Sequence, residues 1–408
     1  MNESANSTPS PQGAGLSMQH ARRIILKKKE ERRIVAGHPW VFSNEIAEVR
    51  GEPSIGDVVE VRTAGGTLLG VGFFNPHSLI AVRMLSASSE EIDEHFFTQR
   101  IAAARALRSI VYSSDQALRL IHGEADFLPG LVVDKYNEYL VLQTFSYGMD
   151  ARLQIICNVL ESLLSPAGIV ERNESPLRLL EGLPLKRGIL RGEAPPTVIQ
   201  EHGLQYTVDL LGGQKTGLFL DQKENRLAIR RFSPGARVLD CFCNDGGFSL
   251  NAARGGAASV LGIDSSEEAI RNAERNASSN DIDVARFIVR DVFEELQALH
   301  GSGQTFDLVV LDPPSFTRSR KNVPTAKRGY RELNAKALRV LKQGGILFTA
   351  SCSHHIEPDV FLELIHDAAR HSGRHLQLLE WRGASPDHPT LPGVPETRYL
   401  KLGILRAV

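Results

Sequence analysis

The run Ala350-Ser351-Cys352-Ser353-His354-His355 places a thiol directly after an apolar, strand-like segment. Earlier in the chain, Leu311-Asp312-Pro313-Pro314-Ser315-Phe316 closes another such segment. Two successive prolines fix the backbone and remove two donors. The loop is therefore stiff and presents one carboxylate and one aromatic face. Such a loop suits a nucleobase drawn out of its stack: Asp312 binds the polar edge and Phe316 stacks on the ring. The same residues also describe a rigid turn with a capping Asp. The thiol adds chemistry. C5 of cytosine is a poor nucleophile. Thiolate addition at C6 makes C5 enamine-like, so that it can attack an electrophilic methyl group. A base then removes the C5 proton and the thiol leaves, which divides one hard step into two. A small buried Cys at a strand end is also an ordinary core filler.

Further acids stand at the ends of successive strand-like runs. Asp240 follows Val238-Leu239 and opens Cys241-Phe242-Cys243-Asn244-Asp245-Gly246-Gly247. Gly246-Gly247 allows a tight turn with close backbone approach to a ligand, and Asn244 tolerates positive φ better than most residues. A dinucleotide site would want GxGxxG aimed at a pyrophosphate, and that motif is missing here. A ligand without phosphates fits better, and S-adenosylmethionine is one. Asp240 is positioned for its cationic groups, Asp264 for the ribose hydroxyls and Asp291 for the adenine amino group. Each of these acids can instead be a loop or helix cap.

Other candidates are weaker. Cys241 and Cys243 read as packing, since a metal site needs further ligands at suitable spacing. No metal is expected. Cys157 lies on a helical stripe and reads as core. His354 and His355 orient the loop, touch substrate or remain solvated. Residues 317–331 (TRSRKNVPTAKRGYR) carry six basic side chains and no acid. Beside a base pocket, Arg318, Arg320, Lys321 and Arg328 would hold RNA phosphates. As a charge run, the segment also reads as a solvated loop.

The elements that must position these residues follow from periodicity. From 204 onward, strands alternate with helices: 236–242, 259–264, 285–291, 306–312 and 344–352 as strands, with helices at 248–256 and 331–341 among those between. This alternation implies an α/β fold with a doubly wound, mostly parallel sheet, which binds ligands at the strand carboxyl ends near the switch point. The last two strands, with no full helix between them, imply an antiparallel edge pair. Residues 21–90 show short alternating strands with frequent turns, as in a small β-barrel or sandwich. They open with seven basic and two acidic residues at 21–33. Residues 91–203 read as a mixed α/β middle domain, with helices near 90–112 and 150–164 and a border zone around Pro195-Pro196. Residues 1–20, rich in Ser, Asn, Gly and Pro, read as a disordered tail.

Composition bounds the function. Lys+Arg is 47 and Asp+Glu is 48 in 408 residues, so a uniformly basic coat is excluded and nucleic-acid binding must come from local patches. No apolar run approaches the roughly 18 residues of a membrane span. Four cysteines without a CxxC pair are too few to staple the chain. The expectation is a reduced, cytoplasmic protein.

The loop DCFCNDGGFS, the run LDPPSFTRSRK and the strand end SCSHH, in that order, resemble a class I S-adenosylmethionine-dependent RNA methyltransferase. GGQKTGLFLDQKENR (212–226), GHPWVFSNEI and IHGEADFLPGLVVDKY resemble the ribosomal RNA large subunit methyltransferase I family. The resemblance covers nearly everything after residue 20. It implies a PUA-like RNA-binding barrel, a small α/β domain and a seven-stranded Rossmann-like catalytic domain. It implies 5-methylcytosine formation in 23S ribosomal RNA, with Cys352 as nucleophile and Asp312 as the acid of the Pro-Pro loop. By the same resemblance Lys215, Asp221, Gln222 and Arg226 lie near the cofactor or brace its loop, Phe242 lines it, and Trp40 and Pro313 meet RNA. The homodimeric state is left open. Many RNA cytosine-C5 methyltransferases carry a second Cys in the Asp312–Ser315 position set, and here there is none. Rival functions are methylation of a nucleobase nitrogen, which needs no thiol, and an RNA adaptor with an inactive catalytic fold.

Overall fold

The computed structural model describes residues 22–112, 117–212, 217–317 and 319–408. The expected tail at 1–20, Lys215 and Arg318 lie outside the described residues.

Six short strands build the first unit: β1 (Arg23–Leu26), β2 (Trp40–Phe42), β3 (Ile46–Arg50), β4 (Val58–Arg62), β5 (Leu68–Phe74) and β6 (Ile80–Ser86), in the order β2-β6-β5-β4-β1-β3. Alternating apolar side chains point inward, so Ile24, Leu26, Val41, Val59, Val61, Phe74 and Val82 make a compact core.

The middle unit has five strands: β7 (Ala117–His122), β8 (Leu131–Tyr136), β9 (Tyr139–Thr144), β10 (Gly168–Asn173) and β11 (Lys186–Gly192), in the order β11-β10-β9-β8-β7. Helices Glu94–Val111 and Leu153–Leu164 bury their apolar stripes on one face, Cys157 among them. The other face shares a core with the hairpin of β12 (Thr197–Glu201) and β13 (Leu204–Val208) and with Leu250, Ile270 and Phe287 of the last unit. The expected border at 203/204 falls in the turn of this hairpin. Its two strands pair from Thr197↔Val208 to Glu201↔Leu204.

The last unit is a seven-stranded sheet: β14 (Arg237–Cys241), β15 (Ser259–Asp264), β16 (Ala285–Val289), β17 (Phe306–Leu311), β18 (Leu341–Ser351), β19 (Leu376–Arg382) and β20 (Lys401–Ala407). The order is β16-β15-β14-β17-β18-β20-β19. The first five strands run parallel, and β20 is antiparallel to both neighbours. The antiparallel pair at the edge is present, with the later strand slotted inside the earlier one. Strand order reverses between β14 and β17, which opens a crevice at their carboxyl ends.

One element is longer than the sequence pattern shows. The helix expected from Arg331 begins at Val323 and runs to Val340. Pro324 and Gly329 give its first turns the look of a loop. Pro is tolerated in a first helical turn. Gly329 leaves room for the Phe316 ring, which a Cβ there would meet at 3.2 Å. Ala326, Tyr330, Leu333 and Ala337 form the buried stripe. Half of the basic run at 317–331 is therefore helical. No helix among the described residues is long and apolar enough to cross a membrane.

Candidate active site and its relatives

The loop after β14 is shaped by backbone that few residues adopt. Phe242, Asn244 and Gly246 take φ of +64°, +45° and +82°. At Gly246 a Cβ would also meet Ala273 at 3.2 Å. The turn feeds Gly247 into the helix Gly247–Arg254. This leaves a tight cradle of main chain at the switch point. Asp240 lies beneath it, 1% exposed. Its Oδ2 accepts from the backbone N–H and the hydroxyl of Ser249, at 2.9 and 2.7 Å. Among the described residues its Oδ1 is buried with no partner. Burial pushes this carboxyl from 3.8 up to about 7, and the neighbouring Asp312 and Asp264 push the same way. A cationic group at this point would satisfy the orphan oxygen and favour its charge. The residues present thus fit the amino and sulfonium groups of S-adenosylmethionine.

The other acids are placed differently. Asp264 ends β15, accepting from the N–H of Asn244 at 3.1 Å and of Ser266 at 2.9 Å. It braces the cradle from the rim. Asp291 lies beyond β16, exposed, and caps the helix Val292–Gly301 through Oδ1 and the Glu294 N–H, 3.0 Å. Asp312 sits one strand over from Asp240, and its Oδ1 accepts from Gln222 Nε2 at 2.8 Å. Gln222 is buried and its own oxygen accepts from Asn225 at 2.7 Å, which fixes its amide.

In the segment 217–226, Asp221, Gln222 and Arg226 are each held by side-chain hydrogen bonds. Arg226 is buried and forms a bidentate pair with Glu201 at 2.9 and 2.7 Å. A third donor binds the Phe219 carbonyl at 2.7 Å. Its aliphatic stem lies where a Cβ on Gly247 would stand. Arg226 therefore supports the cradle from behind. Asp221 Oδ2 accepts from the Tyr399 hydroxyl at 2.7 Å.

Cys352 follows β18 and is half-buried. Its Sγ contacts the Pro313 carbonyl at 4.0 Å, a weak interaction that nonetheless sets the thiol against the Asp312 loop. The register of β17 with β18 brings this about, since Leu311 pairs with Thr349. Beneath the thiol lies a buried hydroxyl cluster. Ser351 Oγ donates to Tyr330 Oη at 3.0 Å, and Ser353 Oγ lies 2.9 Å from Tyr330 Oη and 3.0 Å from Ser315 Oγ. Cys241 and Cys243 are buried with thiols pushed well up by desolvation, as packing residues would be. Cys157 is likewise pushed up to about 11 by burial.

Two expected RNA contacts are committed elsewhere. Phe316 packs on Tyr330 with ring centroids 4.6 Å apart and on Phe293 at 6.4 Å, so it anchors the loop rather than standing free in the cleft. Trp40 spends its Nε1–H on Glu124 Oε1 at 3.0 Å, and the Arg83 guanidinium lies 5.8 Å from its ring. Nearby His38 Nε2 is 3.4 Å from Glu396 Oε2. These contacts lock the barrel to the other two units. Arg320, Lys321 and Arg328 are exposed beside the Pro-Pro loop. Pro313 is buried and Pro314 exposed.

Sequence reasoning missed a second layer around the thiol: Tyr330, Ser315, Ser353, Tyr399 and Lys401. Tyr399 also neighbours His354, with rings 5.5 Å apart, and His122 of the middle unit, at 6.3 Å. A charged residue inside the apolar run Tyr399-Leu400-Lys401-Leu402 was the available signal for Lys401.

Comparison with known proteins agrees with this architecture. Residues 24–87 match a PUA-like domain and residues 119–402 match an S-adenosylmethionine-dependent methyltransferase domain. The chain is 38% identical over 386 residues to ribosomal RNA large subunit methyltransferase I of Escherichia coli O127:H6, covering 93% of this chain and 98% of that protein. The protein of that name from Escherichia coli SMS-3-5 is 37% identical over the same shares. Among solved structures, a Streptococcus mutans protein assigned as an S-adenosylmethionine-dependent methyltransferase superposes with TM-score 0.81 at 20% identity, covering 94% of this chain and 99% of that one. SMU.776, assigned as a methyltransferase and complexed with SAH, gives TM-score 0.83 at 20% identity over the same shares. With a PUA-like barrel, a class I fold and a cofactor cradle in place, the chain belongs to the S-adenosylmethionine-dependent ribosomal RNA large subunit methyltransferase I family.

Proposed function

We propose that this chain methylates C5 of a cytosine in 23S ribosomal RNA through a transient bond between Cys352 Sγ and C6. One observation carries the reading: the half-buried thiol at the end of β18, set against the Pro313 carbonyl and beside the Asp312 loop. A nitrogen acceptor has its own lone pair and gives a thiol there no work.

The cofactor, when bound, supplies an electrophilic methyl group. Asp240 Oδ1 and the rim of Asp264 hold its charged and hydroxyl groups, and the Phe242–Gly247 turn gives it room. Asp312, oriented by Gln222, accepts from the amino edge of the cytosine. The Cys352 thiolate adds to C6, and the C5–C6 electron pair moves to C5, which would bond to the methyl carbon as that carbon's bond to the sulfonium sulfur breaks, its electron pair staying on sulfur to leave a neutral thioether. A base then takes the C5 proton, the pair returns to C5–C6, and Sγ departs. Arg320, Lys321 and Arg328 hold RNA phosphates beside the cleft.

The test is covalent trapping. RNA bearing 5-fluorocytosine should form a stable adduct with the wild-type protein and none with Cys352→Ala, while cofactor binding is unchanged. Full methylation by Cys352→Ala, with the methyl group on nitrogen by nucleoside mass spectrometry, would refute the proposal.

A further inference from the structure

Beside Cys352 lies a cation that neither the cofactor cradle nor the RNA-facing surface employs. Lys401 opens β20, and the register sets it opposite Ser351, the last residue of β18. It is 3% exposed. Its Nζ donates to the Ser353 carbonyl at 2.8 Å and to the Tyr399 carbonyl at 2.9 Å. Both are neutral, and among the described residues no carboxylate comes within 4.0 Å of Nζ. An ammonium has three N–H donors. Two are spent on the Ser353 carbonyl, within the Cys352 loop, and the Tyr399 carbonyl, just before β20, and among the described residues the third meets no carboxylate.

A buried charge without a counter-charge is costly. Burial pulls Lys401 down to about 8, and the group that most favours its charged form is Cys352, ahead of Glu357. The charged and titratable groups around it come from four elements. Cys352 and His354 lie on the loop after β18, and burial followed by Lys401 itself pushes His354 down. Glu357 is exposed at the start of the helix Pro358–His371. Tyr330, from the helix Val323–Val340, is pushed up by burial and stays a phenol. Tyr399 is pushed well up by burial and donates to Asp221. Glu357 has water to screen it. The anion that can answer Lys401 inside the site is the thiolate of Cys352.

We infer that Lys401 is the counter-ion of the Cys352 thiolate, a positioning residue that keeps the sulfur deprotonated and its loop aimed at the cleft. The inference rests on Cys352 being the nucleophile. On ionisation the S–H bond breaks, its electron pair stays on sulfur, the proton passes to solvent, and the ammonium keeps its three hydrogens. A mere strut between two carbonyls would need hydrogen-bond donors and no charge, which makes the two roles separable.

The experiment is the pH dependence of iodoacetamide alkylation at Cys352, followed by peptide mass spectrometry on the full chain without RNA. Cys157, Cys241 and Cys243 are buried with raised thiols and react slowly. The wild-type midpoint should lie below the roughly 8.5 of a free thiol. In Lys401→Met it should move about one pH unit higher or more, so that alkylation at pH 7 slows about tenfold. Lys401→Arg should restore most of the shift. Lys401→Gln keeps donors without charge and should behave like Lys401→Met. A wild-type midpoint in Lys401→Gln, or in a Lys401→Met protein that melts and binds S-adenosylmethionine normally, overturns the inference. Alkylation reports the thiolate whether or not RNA is attacked. Absent trapping by wild-type protein therefore refutes the nucleophile reading separately.

Discussion

Replacing Asp240 with Asn should stabilise the cofactor-free protein and abolish cofactor binding in the same variant. The carboxyl is fully buried, with Oδ2 held by Ser249 and Oδ1 unpartnered among the described residues. Burial lifts it from 3.8 to about 7. Because the folded value lies above the unfolded one, the folded state holds the extra proton between the two. Stability is therefore greatest at low pH and falls as pH rises through about 7. The gap of about three units sets an upper bound of about 4 kcal/mol above pH 7. Asn keeps an acceptor for Ser249 and has no charge to desolvate. The variant should melt higher than wild type at pH 7.5, and the difference should nearly vanish by pH 4. Cofactor binding should run the other way, since the cation needs the ionised acid. Between pH 7.5 and 6 the ionised fraction falls from about three-quarters to about one-eleventh, an affinity loss of about eightfold or ~1.2 kcal/mol. Above that range the cofactor's own α-amino group begins to titrate, near 7.7–8.0 in a typical case. Calorimetric titration with S-adenosylmethionine in buffers of differing ionisation enthalpy reads both the affinity and the proton released. A flat affinity across this range, or wild-type binding by Asp240→Asn, would show that Asp240 does not answer the cofactor's charge.

Three further outcomes are expected. Glu201→Ala leaves the buried Arg226 charge without its bidentate partner, and thermal or denaturant melts should show a loss of about 3–5 kcal/mol; an unchanged melt would mean that water reaches the guanidinium. Gly246→Ala puts a side chain at φ +82° against Ala273, and equilibrium binding should weaken alongside a stability loss of about 1–2 kcal/mol; normal binding would remove the need for bare backbone at that turn. Changing Arg320, Lys321 and Arg328 together to Gln should weaken RNA binding and reduce its log–log salt slope by about 2, measured by filter binding; an unaltered slope would place the phosphates elsewhere.

Much of the cleft was legible because its signals are local. The acid-ended strands, the Gly246-Gly247 turn and the Pro313-Pro314 pair each declare themselves within a few residues. Asn244 takes the positive φ that its residue type tolerates. Phe242 takes one too, and nothing about an aromatic residue announces that. The start of the helix at Val323 was hidden because Pro324 and Gly329 carry loop-like identities while serving as a first-turn residue and as a seat for Phe316.

Periodicity alone determined that strands alternate with helices, that the sheet is parallel through its first five strands, and that Asp240, Asp264, Asp312 and Cys352 come to one end of it. Only the folded chain decided which side chains remain available for chemistry. Arg226 is held by Glu201, Trp40 by Glu124, Phe316 by Tyr330, and Lys401 lies under the Ser353 carbonyl. The physical reason is that hydrogen-bond partners and desolvation depend on several packed elements at once. A residue type carries its chemistry in the sequence, whereas its pKa and its free valences belong to the neighbours that folding supplies.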